Sequence, residues 1–127
     1  MIHVFIGTKA QYIKTAPLIW AMEEQGIDYR LIDSGQHAEL AGSFQVELGL
    51  RAPDVRLGGG TDVTTIPQAV RWGLGLAARL VSRRRVFNEV FGGIDGVGVV
   101  HGDTPSTLLS MMMARRPGWR WPIWKQV

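Results

Sequence analysis

The residues best able to do chemistry fall in four short turns. The first is Gly7, Thr8 and Lys9, with Lys14 five residues later. Glycine lets backbone N–H groups come close to an anion, and ammonium groups add full positive charge, so this turn is suited to holding phosphate. The second turn is Gly35, Gln36 and His37, the third is GGGTD from Gly58 to Asp62, and the fourth is Gly102, Asp103 and Thr104. Together they supply glycines, hydroxyls, cations and two carboxylates. By residue type alone, Asp103 reads as a helix-terminal carboxylate that stabilises local N–H groups and the helix dipole. No GxGxxG follows the first apolar run and no GxxxxGK[ST] occurs, so a dehydrogenase-type dinucleotide site and a P-loop are both disfavoured.

The elements flanking these turns alternate. Residues 2–6 (IHVFI) read as a buried strand ending at Gly7, and a helix follows from Ala10 to about Gln25, stopped by Gly26. On that helix Ile13, Ala16, Pro17, Trp20 and Ala21 are expected to form the inner face, with Pro17 bending it. Residues 28–33 (DYRLID) read as a second strand and Ala38 to Leu48 as a second helix closed by Gly49. A weak strand at Val55 to Leu57 precedes a long helical stretch from Val63 to Phe91, in one piece or two, with Gly73 and Gly75 as points of close packing. Val97 to Val100 is the fourth strand, and Thr104 before Pro105 has the signature of a helix start. Four strand–helix units of this length make an α/β fold with a doubly wound parallel sheet, and in such a sheet all four turns emerge at one edge, where ligands bind.

Composition narrows the class. The chain has 127 residues, enough for one domain, with 46% hydrophobic and 20% charged residues, which is globular rather than disordered. It has no cysteine, so disulfides and zinc–thiolate sites are excluded and a cytoplasmic location is expected. The opening residues lack a basic region and a cleavage site, and no apolar run approaches a membrane span, so no membrane partner is expected. The formal charge of +3 could suggest nucleic acid, but residues 117–127 carry Arg120 and Lys125 with no acid, leaving 12 bases against all 11 acids in the rest. The cluster Arg79, Arg83, Arg84 and Arg85 reads as a solvated helix face, and no nucleic-acid partner is expected.

Three segments carry a resemblance. Phe5 to Leu18 (FIGTKAQYIKTAPL) resembles the FGTRPEAIKMAPL opening of the non-hydrolysing UDP-N-acetylglucosamine 2-epimerases. Asp33 to His37 (DSGQH) is similar to that family's TGQH turn, and Val99 to Thr104 (VVHGDT) to its VHGDT strand end, in the same order. The resemblance implies a Rossmann-like amino-terminal lobe of a two-lobed, glycosyltransferase-B-type isomerase of polysaccharide biosynthesis, with a UDP-sugar substrate, no cofactor, no metal, and a homodimer for the full-length member. It implies Asp103 and Lys14 as catalytic residues, and Gly7, Thr8, Lys9, Gln36, His37 and Thr104 as substrate-binding ones. Lys9, Ala10 and Gln11 depart from the family's arginine, proline and glutamate; an ammonium is a point charge where a guanidinium would bind phosphate through two parallel bonds.

After Arg116 the family continues with a fifth strand, HVEAGLR and a second lobe, whereas this chain reads PGWRWPIWKQV. Back-translated and read one nucleotide earlier, that tail can spell AVAHLEAG. Residues 1–116 are therefore expected to be an incomplete amino-terminal lobe and 117–127 an out-of-frame, Trp-rich tail, the lobe alone being inactive. Other glycosyltransferase-B-type nucleotide-sugar enzymes, or a non-catalytic nucleotide-binding half-domain, remain alternatives. On residue type, His37 could equally be a solvated helix-start residue, His3 and His101 read as packing residues, and Met111 to Met113 as core filler.

Overall fold

A computed structural model describes residues 1–58, 62–102 and 104–115; Asp103, in the fourth turn, and the 117–127 tail lie outside the described residues. The elements run β1 (Ile2–Ile6), α1 (Lys9–Glu24), β2 (Tyr29–Asp33), α2 (Ala38–Glu47), β3 (Val55–Arg56), α3 (Ile66–Leu80), α4 (Arg83–Arg85, continuing as a π-turn over Val86–Val90), β4 (Val97–Val99) and α5 (Pro105–Arg115). All pairings are parallel and the strand order is β3-β2-β1-β4. Each strand therefore returns to its starting end through a helix.

Alternation along the strands builds two cores. Val4, Ile6 and Leu31 face one side, where α1 lays down Tyr12, Ala16, Ile19 and Met22. Phe5 and Ile32 face the other side and meet Leu76 of α3, Val86 and Val90 of the π-turn, Phe91, and Met113 of α5. Successive side chains of a strand point to opposite faces, so helices on both faces are required. The doubly wound α/β expectation holds.

Some local expectations are corrected. The buried face of α1 is Gln11, Tyr12, Thr15, Ala16, Ile19 and Met22, whereas Ile13 and Trp20 are 48% and 46% exposed. Ala16 is buried as expected, but apolar residues occupy both faces of this helix, so spacing alone misplaces Ile13 and Trp20. The long stretch divides at Val81 and Ser82, because the Ser82 hydroxyl accepts from the Arg85 N–H at 3.3 Å and starts a new turn. Gly73 and Gly75 are not sites of close packing, since a Cβ at either would meet nothing within 4 Å. Of the three methionines only Met113 is fully buried, and Met112 is exposed. Helix α3 leaves Ile66, Val70 and Leu74 exposed on one stripe. Among the described residues no helix is long and apolar enough to cross a membrane.

Candidate functional site

The strand order sets the site's position. From β1 the chain moves outward to β2 and β3, then returns to the opposite side of β1 as β4. The switch in direction therefore lies between β1 and β4, and the crevice at their carboxyl ends is flanked by Gly7 and Thr8 on one side and His101, Gly102 and Thr104 on the other.

Thr8 starts α1 with a reciprocal cap: its hydroxyl accepts from the Gln11 N–H at 3.3 Å, and its own N–H donates to Gln11 Oε1 at 3.2 Å. Intrahelical bonding begins with the Tyr12 N–H on the Thr8 carbonyl, at 3.0 Å. The N–H groups of Lys9 and Ala10 come before that bond and have no intrahelical acceptor. The first turn holds no acid, so the positive end of the helix dipole is uncompensated there. Lys9 is exposed, with Nζ 4.2 Å from the centroid of the Phe44 ring on α2. Lys14 is not on the first turn: α1 begins at Lys9, so Lys14 lies about 7.5 Å farther along the axis, on the exposed side.

The β2 turn is stitched to its neighbours on both sides. The N–H groups of Ser34 and His37 donate to the carbonyls of Ile6 and Gly7, at 2.8 and 3.2 Å. Leu57 N–H donates to the Asp33 carbonyl at 2.8 Å, Val63 N–H to the Gln36 carbonyl at 2.9 Å, and the Trp72 indole to the Ser34 carbonyl at 2.9 Å. Gly35 has φ +73°, and a Cβ on it would lie 2.5 Å from the Gly58 Cα, so two backbones cross here in van der Waals contact. Asp33 anchors the turn from below: Oδ1 accepts from the Gly35 N–H at 2.8 Å and Oδ2 from the Tyr12 hydroxyl at 3.1 Å. Burial pushes the Asp33 carboxyl up, opposed by the bonds from Gly35 and Tyr12, and burial with the neighbouring carboxylate pushes the Tyr12 phenol up.

Four buried polar atoms on these turns have no hydrogen-bond partner among the described residues: Ser34 Oγ, Gln36 Oε1, His37 Nδ1 and His101 Nδ1. Three belong to the β2 exit and one to the β4 exit. Buried polar atoms are nearly always paired, so such a group marks a place completed by something else. His37 is the residue before α2 but makes no side-chain cap bond. His3 fulfils its expected packing role, buried and edge-on to Phe91 with Nε2 3.1 Å from the Ile94 carbonyl, and His101 is half-buried just after β4. Thr104 precedes α5, and its carbonyl accepts from the N–H groups of Thr107 and Leu108. Asp62 has a structural task, since Oδ1 accepts from the Glu39 N–H at the start of α2, at 2.8 Å.

The structure thus brings Gly7, Thr8, Lys9, Gln36 and His37 to one edge, with Thr104 across the β1–β4 crevice and Lys14 set back on α1. A separate cleft of about 430 Å³ lies between the β3 exit and α3, lined by Leu57, Trp72, Leu76, Arg71 and Arg79 together with Gly58 and Asp62 of the third turn, and none of the residues of the other three turns lines it. Ser34, Asp33 and Tyr12 were not singled out by sequence reasoning. The only signal for them was a hydroxyl and a carboxylate next to the GQH turn.

No family model matches the chain, and no curated protein is detectably similar to it in sequence. Solved structures do match. A UDP-N-acetylglucosamine 2-epimerase aligns over 98% of this chain with a TM-score of 0.70 at 20% identity. The enzyme from Neisseria meningitidis, solved with UDP-GlcNAc bound, aligns over 98% with a TM-score of 0.67 at 21% identity. A Listeria monocytogenes protein described as a UDP-N-acetylglucosamine 2-epimerase aligns over 88% with a TM-score of 0.65 at 18% identity. The fold is that of these epimerases. The structural likeness falls on the same family as the three sequence motifs. The chain spans about a third of the length of the structures it matches, between 27% and 32%.

Proposed function

We propose that this chain forms the nucleotide-sugar side of a UDP-N-acetylglucosamine 2-epimerase. The observation carrying this reading is the set of buried polar atoms on the β2 and β4 exits without a partner among the described residues, beside a helix start whose first N–H groups have no intrahelical acceptor and no acid near them. The epimerase fold of the solved structures and the order of the three motifs support the same reading.

The reaction sets the requirements. Inverting a sugar carbon that bears an acetamido group, with no adjacent carbonyl to acidify its proton, is feasible by elimination. A base takes the C2 proton, the C1–O bond breaks with its electron pair leaving on UDP, and UDP then adds back to the unsaturated sugar as a proton returns to the opposite face. The free N–H groups of α1, with Lys9 and Lys14, stabilise the departing diphosphate, and Asp103 handles a proton. Gln36, His37 and Thr104 contact the substrate. On this reading residues 1–116 are one lobe of a longer protein. The out-of-frame tail is checked by sequencing the DNA across the codons for Arg116 and Pro117.

UDP titrated into isotope-labelled chain should shift the amide resonances of Gly7, Thr8, Lys9, Gln36 and His37, and Lys14→Ala should weaken that binding. Shifts confined to other surfaces, or none at millimolar UDP, would overturn the reading. In a frame-restored protein, Asp103→Asn should lower turnover on the order of a hundredfold with substrate affinity largely kept. A product other than the 2-epimer would point to a different nucleotide-sugar enzyme.

A further inference from the structure

Gln11 reaches much farther than its helix cap. While Oε1 accepts from Thr8 N–H in the β1 exit turn, Nε2 lies 2.6 Å from the His101 carbonyl, 2.9 Å from Thr107 Oγ1 and 3.3 Å from Thr104 Oγ1. These partners are 90 to 96 residues away in sequence and all belong to the β4 exit and the start of α5. The side chain is 5% exposed. It spans the β1–β4 crevice at its base.

The chemistry of the partners fixes which end of the amide points where. A carbonyl oxygen can only accept, so the group facing His101 O has to be a donor. The Thr107 hydroxyl also donates to His101 O, at 3.0 Å, which leaves its lone pairs for Gln11. An amide satisfies both sides at once, as acceptor toward Thr8 and donor toward His101 and Thr107, and it does so at any pH. A carboxylate can accept from Thr8 N–H and from the Thr107 or Thr104 hydroxyl, but it has nothing to donate to the His101 carbonyl and sets negative charge against it, unless it is protonated.

We infer that Gln11 is a positioning residue that latches the β1 exit turn to the β4 exit turn, fixing the spacing between the diphosphate-binding N–H groups and the turn that carries Asp103. This rests on the proposed reading for what the two turns bind, but the latch itself can be tested without ligand. Gln11 stands where the resembling motif has glutamate, so Gln11→Glu is the informative variant.

The test compares amide hydrogen-exchange protection in the labelled 127-residue chain, parent against variant at each pH. In Gln11→Glu at neutral pH, Thr107 and Leu108, whose N–H groups bond to the Thr104 carbonyl, should lose protection by about tenfold, while the β1 and β2 amides keep theirs. Lowering the pH until the new carboxyl protonates should restore protection toward the parent value, because a carboxylic acid can donate to His101 O. A loss that ignores pH, a loss spread equally over the sheet, or no loss would each overturn the inference. If Gln11→Glu does not fold at any pH, Gln11→Met, neutral and of the same length, decides instead: selective loss at Thr107 and Leu108 at every pH supports the latch, and parent-like protection refutes it. In a second arm, UDP should shift the amides of both turns in the parent but only Gly7 and Thr8 in Gln11→Glu at neutral pH. If UDP shifts neither turn in the parent, the nucleotide reading fails while the exchange arm still decides the latch.

Discussion

The start of α1 and the start of α3 use the same local device with opposite surroundings. Both helices open with Thr-x-x-Gln, and in both the threonine hydroxyl accepts from the glutamine N–H while the glutamine side chain accepts from the threonine N–H. At α1 the glutamine is buried and goes on to bind the β4 exit. At α3 Gln68 is exposed, and among the described residues Oε1 accepts from Thr64 and Thr65 beside it. The strand exits and helix α3 also each have a glycine pair. Gly35 and Gly58 touch each other through their backbones, whereas Gly73 and Gly75 have open space where a Cβ would go. A local motif and a residue type thus have identical sequence signatures where they hold the site together and where they lie on a surface helix; the difference lies in what the fold brings against them.

Substitutions at matched positions of the two regions should differ in effect. Gly35→Ala should cost the most, about 4 kcal/mol in urea unfolding, because it adds a left-handed Cβ penalty to a backbone clash with Gly58. Gln11→Leu should cost about 3 kcal/mol, since it strands the buried Thr8 N–H and removes the bonds to the β4 exit. A cost under about 1 kcal/mol would make the two caps equivalent and dissolve the comparison.

Burial also matters at the other end of β1, where His3 lies. Burial holds the His3 imidazole down to about 4, against an ordinary value of 6.5. As the pH falls below 6.5 the unfolded chain takes up a proton that the folded chain does not accept until about 4. Stability is thus complete above 6.5 and is lost progressively on acidification. This residue alone should make the fold about 2 kcal/mol less stable at pH 5 than at pH 8, and His3→Phe should flatten the profile by that amount.

The surface helix should respond weakly and with the opposite sign for its glycines. Gly73→Ala should stabilise by about 0.5–1 kcal/mol, because it removes the backbone entropy cost of a helical glycine without meeting a neighbour. Gln68→Ala should cost about 0.5 kcal/mol, the loss of an exposed cap. A destabilising Gly73→Ala would mean that another surface packs on α3.

The strands and the turns between them were legible because each is a short apolar run closed by glycine, a signal that lies within a few residues. The inner face of α1 was not, since Ile13 and Trp20 compete with Tyr12 and Ile19 and only the pleat of β1 and β2 decides between them. Gly7, Thr8, Gln36 and His37 could be picked out from their turns. Gln11 could be seen only as a departure from a resembling motif, because its partners lie some ninety residues away. The crossing of Gly35 and Gly58 was hidden for the same reason, as neither turn shows in sequence that the other is pressed against it.

Strand order also has a consequence for synthesis on the ribosome. The middle strand β1 is made first, with Ile2 paired to Tyr29 on one side and to Val97 on the other. At roughly 5–20 residues per second its second neighbour is translated some 5–20 s after it. During that interval the nascent β1 offers one unpaired row of N–H and C=O groups, and Gln11 has no β4 exit to bind. The chain is then most exposed to pairing with the wrong strand, and a chaperone that shields that edge would be expected to raise the yield of folded protein more than one that acts after release.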